Sequence, residues 1–130
     1  MRSFLQTRSR SFHNAFAGVW YVIRTQKNAW IHSIATLLVI LFAIWLNITI
    51  TDWAVLVLAM GLVWTAECIN TALESIVDLA SPRQHPLAKI GKDVGAAAVV
   101  IAAFSSVIVG FLILGPPLWD KLSKVFNQIH

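Results

Sequence analysis

The sequence is short of charge and of cysteine. Lys, Arg, Asp and Glu make up 12% of its 130 residues and hydrophobic types 58%, with a mean hydropathy of +0.73. That balance is far more apolar than a water-soluble domain of this size carries. So short a chain makes one domain, 1–130, and cannot bury so much apolar surface in a private core. Lipid and neighbouring subunits are therefore expected to cover the remainder. The single cysteine, Cys68, lies inside an apolar run; it can form no intrachain disulfide and is given no role. Acidic residues are missing altogether between Met1 and Asp52. Also missing from Met1 to Lys27 is the short apolar core and small-residue cleavage site of a signal peptide, so the first apolar span is expected to stay in the mature protein. The net charge of +4 and pI near 9.7 do not point to nucleic acid, because the basic residues flank apolar spans.

What is present is a set of long apolar runs. From about Phe4 to Thr25, apolar residues recur at 12, 16, 19, 20 and 23 among Arg8, Arg10, His13, Asn14 and Arg24. This spacing predicts an amphipathic helix on the membrane surface, with a plain basic flank as the alternative. Residues 29–47 carry no charge and form a first span. A second, 52–79, begins near Asp52 as N-cap; its roughly 42 Å outlasts a hydrocarbon core of about 30 Å, so its last turns should project beyond it. Ser81 and Pro82 stop it, and a polar loop leads past Lys89, Lys92 and Asp93 into a third span, 94–114. Gly95 to Ala98, Ala102, Ala103 and Gly110 suit close helix packing there. Gly115-Pro116-Pro117 is expected to end that span before a short amphipathic tail, 118–128. Trp20, Trp30, Trp45, Trp53 and Trp119 read as interface anchors, and His13 and His32 as interfacial polar groups without metal-ligand spacing. Eight Lys and Arg fall on the side holding the N-terminus and the second loop, against two on the other. The N-terminus is thus expected in the cytoplasm.

One stretch of the second span breaks the apolar pattern. At 100° per residue, Glu74 and Asp78 each lie about 20° from Glu67 around the helix, and Asn70 within about 60°. Carboxylates at the edge of a bilayer are costly if unpaired, and by default they mark a functional path or site. Asp78 alone could be a solvated helix end and Asn70 alone an interhelical contact. Glu67 is the deepest and is placed to act as a base, whereas Glu74 is shallow enough to hold a divalent cation. Such parts, with Lys92 nearby, suit phosphoryl transfer, which needs charge neutralisation, an aligned hydroxyl and a base but no covalent intermediate. Neither the glycine-rich phosphate loop nor the protein-kinase signatures occur, so a nucleotide site must come from helix-borne side chains and the loop.

The run Glu67-Cys68-Ile69-Asn70-Thr71-Ala72-Leu73-Glu74-Ser75-Ile76-Val77-Asp78 resembles the E-x-x-N-[ST]-A-[IL]-E-x-x-V-D signature of the prokaryotic diacylglycerol kinase family. Residues 88–98, AKIGKDVGAAA, look like that family's second block, and Asn14-Ala15-Phe16-Ala17-Gly18 falls in its surface helix. The resemblance implies an all-α integral membrane fold, a surface helix plus three transmembrane helices, assembled as a homotrimer with sites between subunits. It further implies phosphorylation of diacylglycerol, or alternatively of undecaprenol, by ATP with Mg²⁺, at the cytoplasmic face of a bacterial inner membrane. By position, Glu67 matches the catalytic base and Asn70 a residue orienting the reacting groups. Glu74 matches a Mg²⁺ ligand. Asn14, His85, Lys92, Asp93 and Asp78 fall with the nucleotide contacts, and Arg10 and Ala96 with the lipid contacts. Gln26 stands where family members often carry a second metal-ligating glutamate. A neutral amide oxygen can ligate a hard cation but offsets none of its charge, so a second metal should bind more weakly.

Two other classes compete with the kinase reading. A small proton-coupled transporter would need a glutamate near the midplane with access from both sides, yet the outer half of every span is uncharged and no inverted repeat is visible. A structural or assembly subunit leaves the shared stripe of acids unexplained.

Overall fold

The computed structural model describes residues 2–81, 83 and 85–129, and the side chains of 8–81, 83 and 85–127. Pro82, expected to help stop the second span, lies outside them. Four helices follow in order: α1 (Arg2–Thr25), α2 (Lys27–Leu46), α3 (Ile50–Ala80) and α4 (Pro86–Ile129). The last three are long and apolar enough to cross a membrane. In lipid a helix is the natural outcome, since it satisfies its backbone within the segment.

α1 and α2 meet at one extended residue, Gln26 (φ −97°, ψ 120°), which forms an elbow. Phe12, Phe16, Val19 and Trp20 on α1 are all exposed, whereas Val22 is buried. From residue 8 to 21 every side chain of α1 is exposed, polar and apolar alike, so this length of the helix is open to lipid and water, as a helix lying in the membrane interface requires. Arg24 sits 4.8 Å above the Trp20 ring at its end.

α2 ends at Asn47, whose φ of 53° places it in the left-handed region, where its backbone N–H reaches Ala43 O and Ile44 O. Asn tolerates that conformation because its short side chain can bond locally. α3 starts two residues earlier than expected. Thr49, not Asp52, is the N-cap, and Asp52 is the third helical residue of a capping box. Its Oδ2 accepts from Thr49 N at 3.2 Å and Thr49 Oγ1 at 2.7 Å, while Asp52 N donates to Thr49 Oγ1 at 3.2 Å.

The third span also departs from expectation. Pro86 opens α4, so Lys89, Lys92 and Asp93 lie on its first turns, and the helix continues through Pro116 and Pro117 to Ile129. A proline at a helix start costs nothing, because its missing N–H would have had no partner. The later pair is tolerated for another reason. Gly115 before Pro116 has no Cβ for the proline ring to strike, and Lys121 ties the extension back to α2. Its Nζ donates to Trp45 O at 2.6 Å and lies 4.3 Å above the Trp45 ring. One of the last carbonyls of α2, which no intrahelical donor can satisfy, is thereby capped.

The bundle is thin. Its buried apolar residues include Ala29, Ala43, Leu46, Leu56, Val63, Val99 and Ala102, and most large apolar side chains remain exposed. α3 and α4 form the most extensive pairing. Ser106 Oγ bridges them, donating to Ala59 O at 2.9 Å. Trp64 Nε1 donates to Thr36 Oγ1 at 3.2 Å and links α3 to α2. Of the small residues expected to pack closely, Gly95 and Ala102 are buried against neighbours, but Ala96, Ala97 and Ala98 are exposed. Gly95 is where α4 approaches α3 most tightly: a Cβ there would lie 2.5 Å from Asn70 Oδ1 and 3.6 Å from Leu73 Cδ1.

Three substitutions test this packing. Thr49→Ala, by removing the cap, should lower unfolding stability in detergent by about 1 kcal/mol. Gly95→Ala should cost about 1–3 kcal/mol through overpacking against Asn70. Gly18→Ala, at a site with nothing within 4 Å of the added carbon, should lose nothing.

Candidate active site

The functional stripe is built on the last turns of α3, where the helix passes from apolar to polar surroundings. Glu67, Thr71 and Asn70 are buried there, with 1%, 4% and 7% of their surfaces exposed. Thr71 spends its hydroxyl on its own helix, donating to Glu67 O at 2.9 Å. Glu67 Oε2 and Asn70 Oδ1 are buried and have no hydrogen-bond partner. Burying polar oxygens in this way costs free energy, and native structures that keep such groups need a reason for them.

One turn beyond Asn70, Glu74 is half-buried between two amides. Asn70 Nδ2 donates to its Oε1 at 3.0 Å and Gln26 Nε2 to its Oε2 at 3.2 Å. Gln26 is the N-cap of α2, yet its side chain makes no capping bond. Its reach goes across to α3 instead, so the elbow between the surface helix and the first span is pinned to the stripe. A further turn along, Asp78 pairs with Lys92 of α4 at 2.6 Å, both partly solvent-exposed. Such a pair contributes little to stability, but it fixes where the cation stands. Asp78, Lys92, His85, Arg83 and Lys89 line a cavity of about 800 Å³ at this end of the bundle. Three cationic side chains against one carboxylate give it a character suited to anions.

The structure thus joins Glu67, Asn70, Glu74 and Gln26 in one cluster, and Asp78, Lys92 and His85 in the adjoining cavity. Arg10, Asn14, Asp93 and Ala96 are exposed and are tied to neither by a hydrogen bond or ion pair among the described residues. Sequence reasoning missed the Gln26–Glu74 bond, which spans 48 residues and has no local signal. It also left Arg83 and Lys89 out of the site, although their place beside His85 and Lys92 was a usable hint. Among the described residues no group of three or more His, Cys, Asp or Glu could hold a metal ion by itself.

Residues 13–114 match the family model described as prokaryotic diacylglycerol kinase. Similar proteins include an undecaprenol kinase of Bacillus subtilis, 38% identical over 109 residues, spanning 84% of this chain and 89% of that protein. A diacylglycerol kinase of Synechocystis is 48% identical over 109 residues, spanning 83% of this chain and 62% of that protein. A diacylglycerol kinase of Escherichia coli is 28% identical over 117 residues, or 85% of this chain and 96% of that one. The matched stretch contains the whole α3 stripe, the elbow and the start of α4. The transporter and assembly-subunit readings find no support in these likenesses. The chain is a multi-pass membrane lipid kinase, and it belongs to the prokaryotic diacylglycerol kinase family.

Proposed function

We propose that the protein transfers the γ-phosphoryl group of ATP to the hydroxyl of diacylglycerol, giving phosphatidic acid, at the cytoplasmic face of a bacterial inner membrane. The observation that carries the reading is Glu67: a carboxyl 1% exposed, with a buried unpartnered oxygen, near a second carboxylate, Glu74, that two amides hold. Glu67 accepts the proton of the acceptor hydroxyl as its oxygen bonds to phosphorus, and ADP departs with the electrons of the broken P–O bond. Asn70, held against Glu74 and backed by Gly95, orients the reacting groups. Lys92, Asp78 and His85 receive the nucleotide at the cavity. The eight-to-two distribution of Lys and Arg supports a cytoplasmic N-terminus, and with it access of this end to ATP.

The residues present fit Mg²⁺ of the kind that arrives on ATP, bound by one or two carboxylates plus substrate phosphates. Glu74 would hold it. Gln26, which now presents Nε2 to Glu74, would offer Oε1 with its amide turned over. The ion's contribution would be to neutralise charge on the phosphates. A homotrimer with shared sites would account for the remaining assignments: Arg10, Asn14, Asp93 and Ala96, which are exposed and bonded to neither the cluster nor the cavity among the described residues, would serve a neighbour's site, and the exposed apolar faces would be covered. A second acceptor, undecaprenol, is favoured by the Bacillus subtilis relative, which this chain matches over 89% of its length.

The test is transfer of labelled phosphate from Mg-ATP to dioleoylglycerol and to undecaprenol, offered separately to the purified protein in bicelles. Transfer to dioleoylglycerol should fall at least about 100-fold in Glu67→Gln, the loss expected of a general base; transfer to undecaprenol alone would replace the acceptor, and an active Glu67→Gln would remove the base. Gln26→Glu should lower the Mg²⁺ concentration at half-maximal rate, because it adds a charged ligand. An unchanged requirement would take Gln26 out of the metal site.

A further inference from the structure

The far end of α4 takes no part in the proposed chemistry. It lies beyond the stretch matched by the family model, which ends at residue 114, yet the helix continues to Ile129. Residues 115–129 add about 22 Å to a span that by itself already crosses a hydrocarbon core of about 30 Å, so they lie outside that core. Their sequence is amphipathic. At 100° per residue, Leu118, Trp119, Leu122, Val125 and Phe126 fall within about 120° of one another, and Asp120, Ser123, Lys124 and Asn127 occupy the opposite side. Among the described residues little covers the apolar face: Trp119 is 72% exposed, Val125 50% and Phe126 65%. Lys121 fixes the level at which this tail begins. Its Nζ bonds Trp45 O in the last turn of α2 and lies over the Trp45 ring, and α2 gives way there to the polar turn 47–49. Trp45 and Trp53 flank that turn and neither is buried. Trp119, within one turn of Lys121, joins them at the end of the bundle opposite the carboxylate stripe.

We propose that residues 118–127 form a second interfacial helix, which binds the lipid surface of the leaflet opposite the active site through Leu118, Trp119, Leu122, Val125 and Phe126. Lipid is the occupant for three reasons. Tryptophans gather at the boundary between headgroups and acyl chains, and the tail starts where Trp45 and Trp53 mark that level. Phe104, Ile108 and Phe111 lie on the same side of α4 and are exposed as well, so the apolar face runs on from a span whose solvent is lipid. Pro116 and Pro117 carry no N–H, which leaves the carbonyls of Leu112 and Ile113 without the donor four residues on and gives the helix axis a place to turn onto the surface. Lys121 stands at the border between the two faces, where it reaches α2 while the apolar face turns to the acyl chains. With Lys121 spent on Trp45, Lys124 and Asp120 are left to offset each other, so the apolar face and not charge holds the tail. With α1 at one surface and the tail at the other, the thin bundle is gripped at both, which sets the depth of the carboxylate stripe.

Fluorescence quenching of the full-length protein in phosphatidylcholine bicelles, where both leaflets are open to solvent, tests this. Cys68→Ser removes the chain's own thiol, and Lys124→Cys, Val125→Cys and Phe126→Cys are then made one at a time and given an environment-sensitive thiol label. The labels at 125 and 126 should be quenched by nitroxide-bearing lipid and the label at 124 by aqueous iodide, with an iodide quenching constant at least about threefold larger at 124. High salt should leave the pattern unchanged, since it screens charge and not apolar burial. Adding Trp119→Ser and Leu122→Asp should move the label at 125 from lipid to iodide. Iodide reaching all three labels alike would overturn the proposal and leave the tail standing in water. Labels at 125 and 126 shielded from both quenchers would overturn it in favour of a second copy of the chain. A pattern lost at high salt would overturn the apolar face as the holding element. None of these readouts depends on the kinase reaction.

Discussion

A carboxyl group buried at membrane depth is the constraint around which this protein is arranged. Placing an acidic side chain in a spanning helix costs about 2.5–3.5 kcal/mol on insertion scales, and Glu67 adds a buried oxygen with no hydrogen-bond partner. Nothing in the packing of α3 requires it. Leu56 and Val63, earlier on the same helix, show what packing alone would select. The surrounding polar groups are organised without quenching Glu67. Thr71 bonds to its backbone, and Asn70 and Gln26 direct their amides to Glu74. The neighbouring carboxylate is thus fixed while the deepest one keeps an unpartnered oxygen.

That arrangement explains several local sacrifices. Gln26 gives up capping its own helix to reach Glu74. Gly95 gives up a side chain, and about 1 kcal/mol of helix propensity, so that α4 can pass Asn70. Each is unfavourable for its own element and sensible only for the site, the pattern expected where function overrides local consistency. Away from the stripe the rules are obeyed. The capping box at Thr49 and Asp52, the left-handed Asn47 and the Lys121 contact to Trp45 all satisfy helix ends at the opposite side of the bundle.

Much of this was legible in the sequence because it is periodic. Uninterrupted apolar runs mark three spans, and the spacing of Glu67, Asn70, Glu74 and Asp78 by itself puts them on one face. The Thr-x-x-Asp pattern at 49–52 carries the capping box, with Thr49 and not Asp52 as the cap. Continuation of α4 through Pro116 and Pro117 was not legible, since proline normally stops a helix and the compensating contact comes from α2. The same holds for Gln26. Its bond to Glu74 depends on how α3 stands against the α1–α2 elbow, in a pairing that Trp64 and Thr36 join further along, and no local pattern encodes that pairing.

The central claim is that Glu67 is kept for chemistry and not for stability, so its removal should separate the two. The most direct measurement is the unfolding stability of Glu67→Leu beside the unmodified protein, in the same bicelles. The account predicts a variant at least as resistant to unfolding, because an orphan buried carboxyl is exchanged for an apolar side chain of similar size. A loss of 1 kcal/mol or more, on the order of a structural hydrogen bond, would contradict it and make Glu67 part of the scaffold.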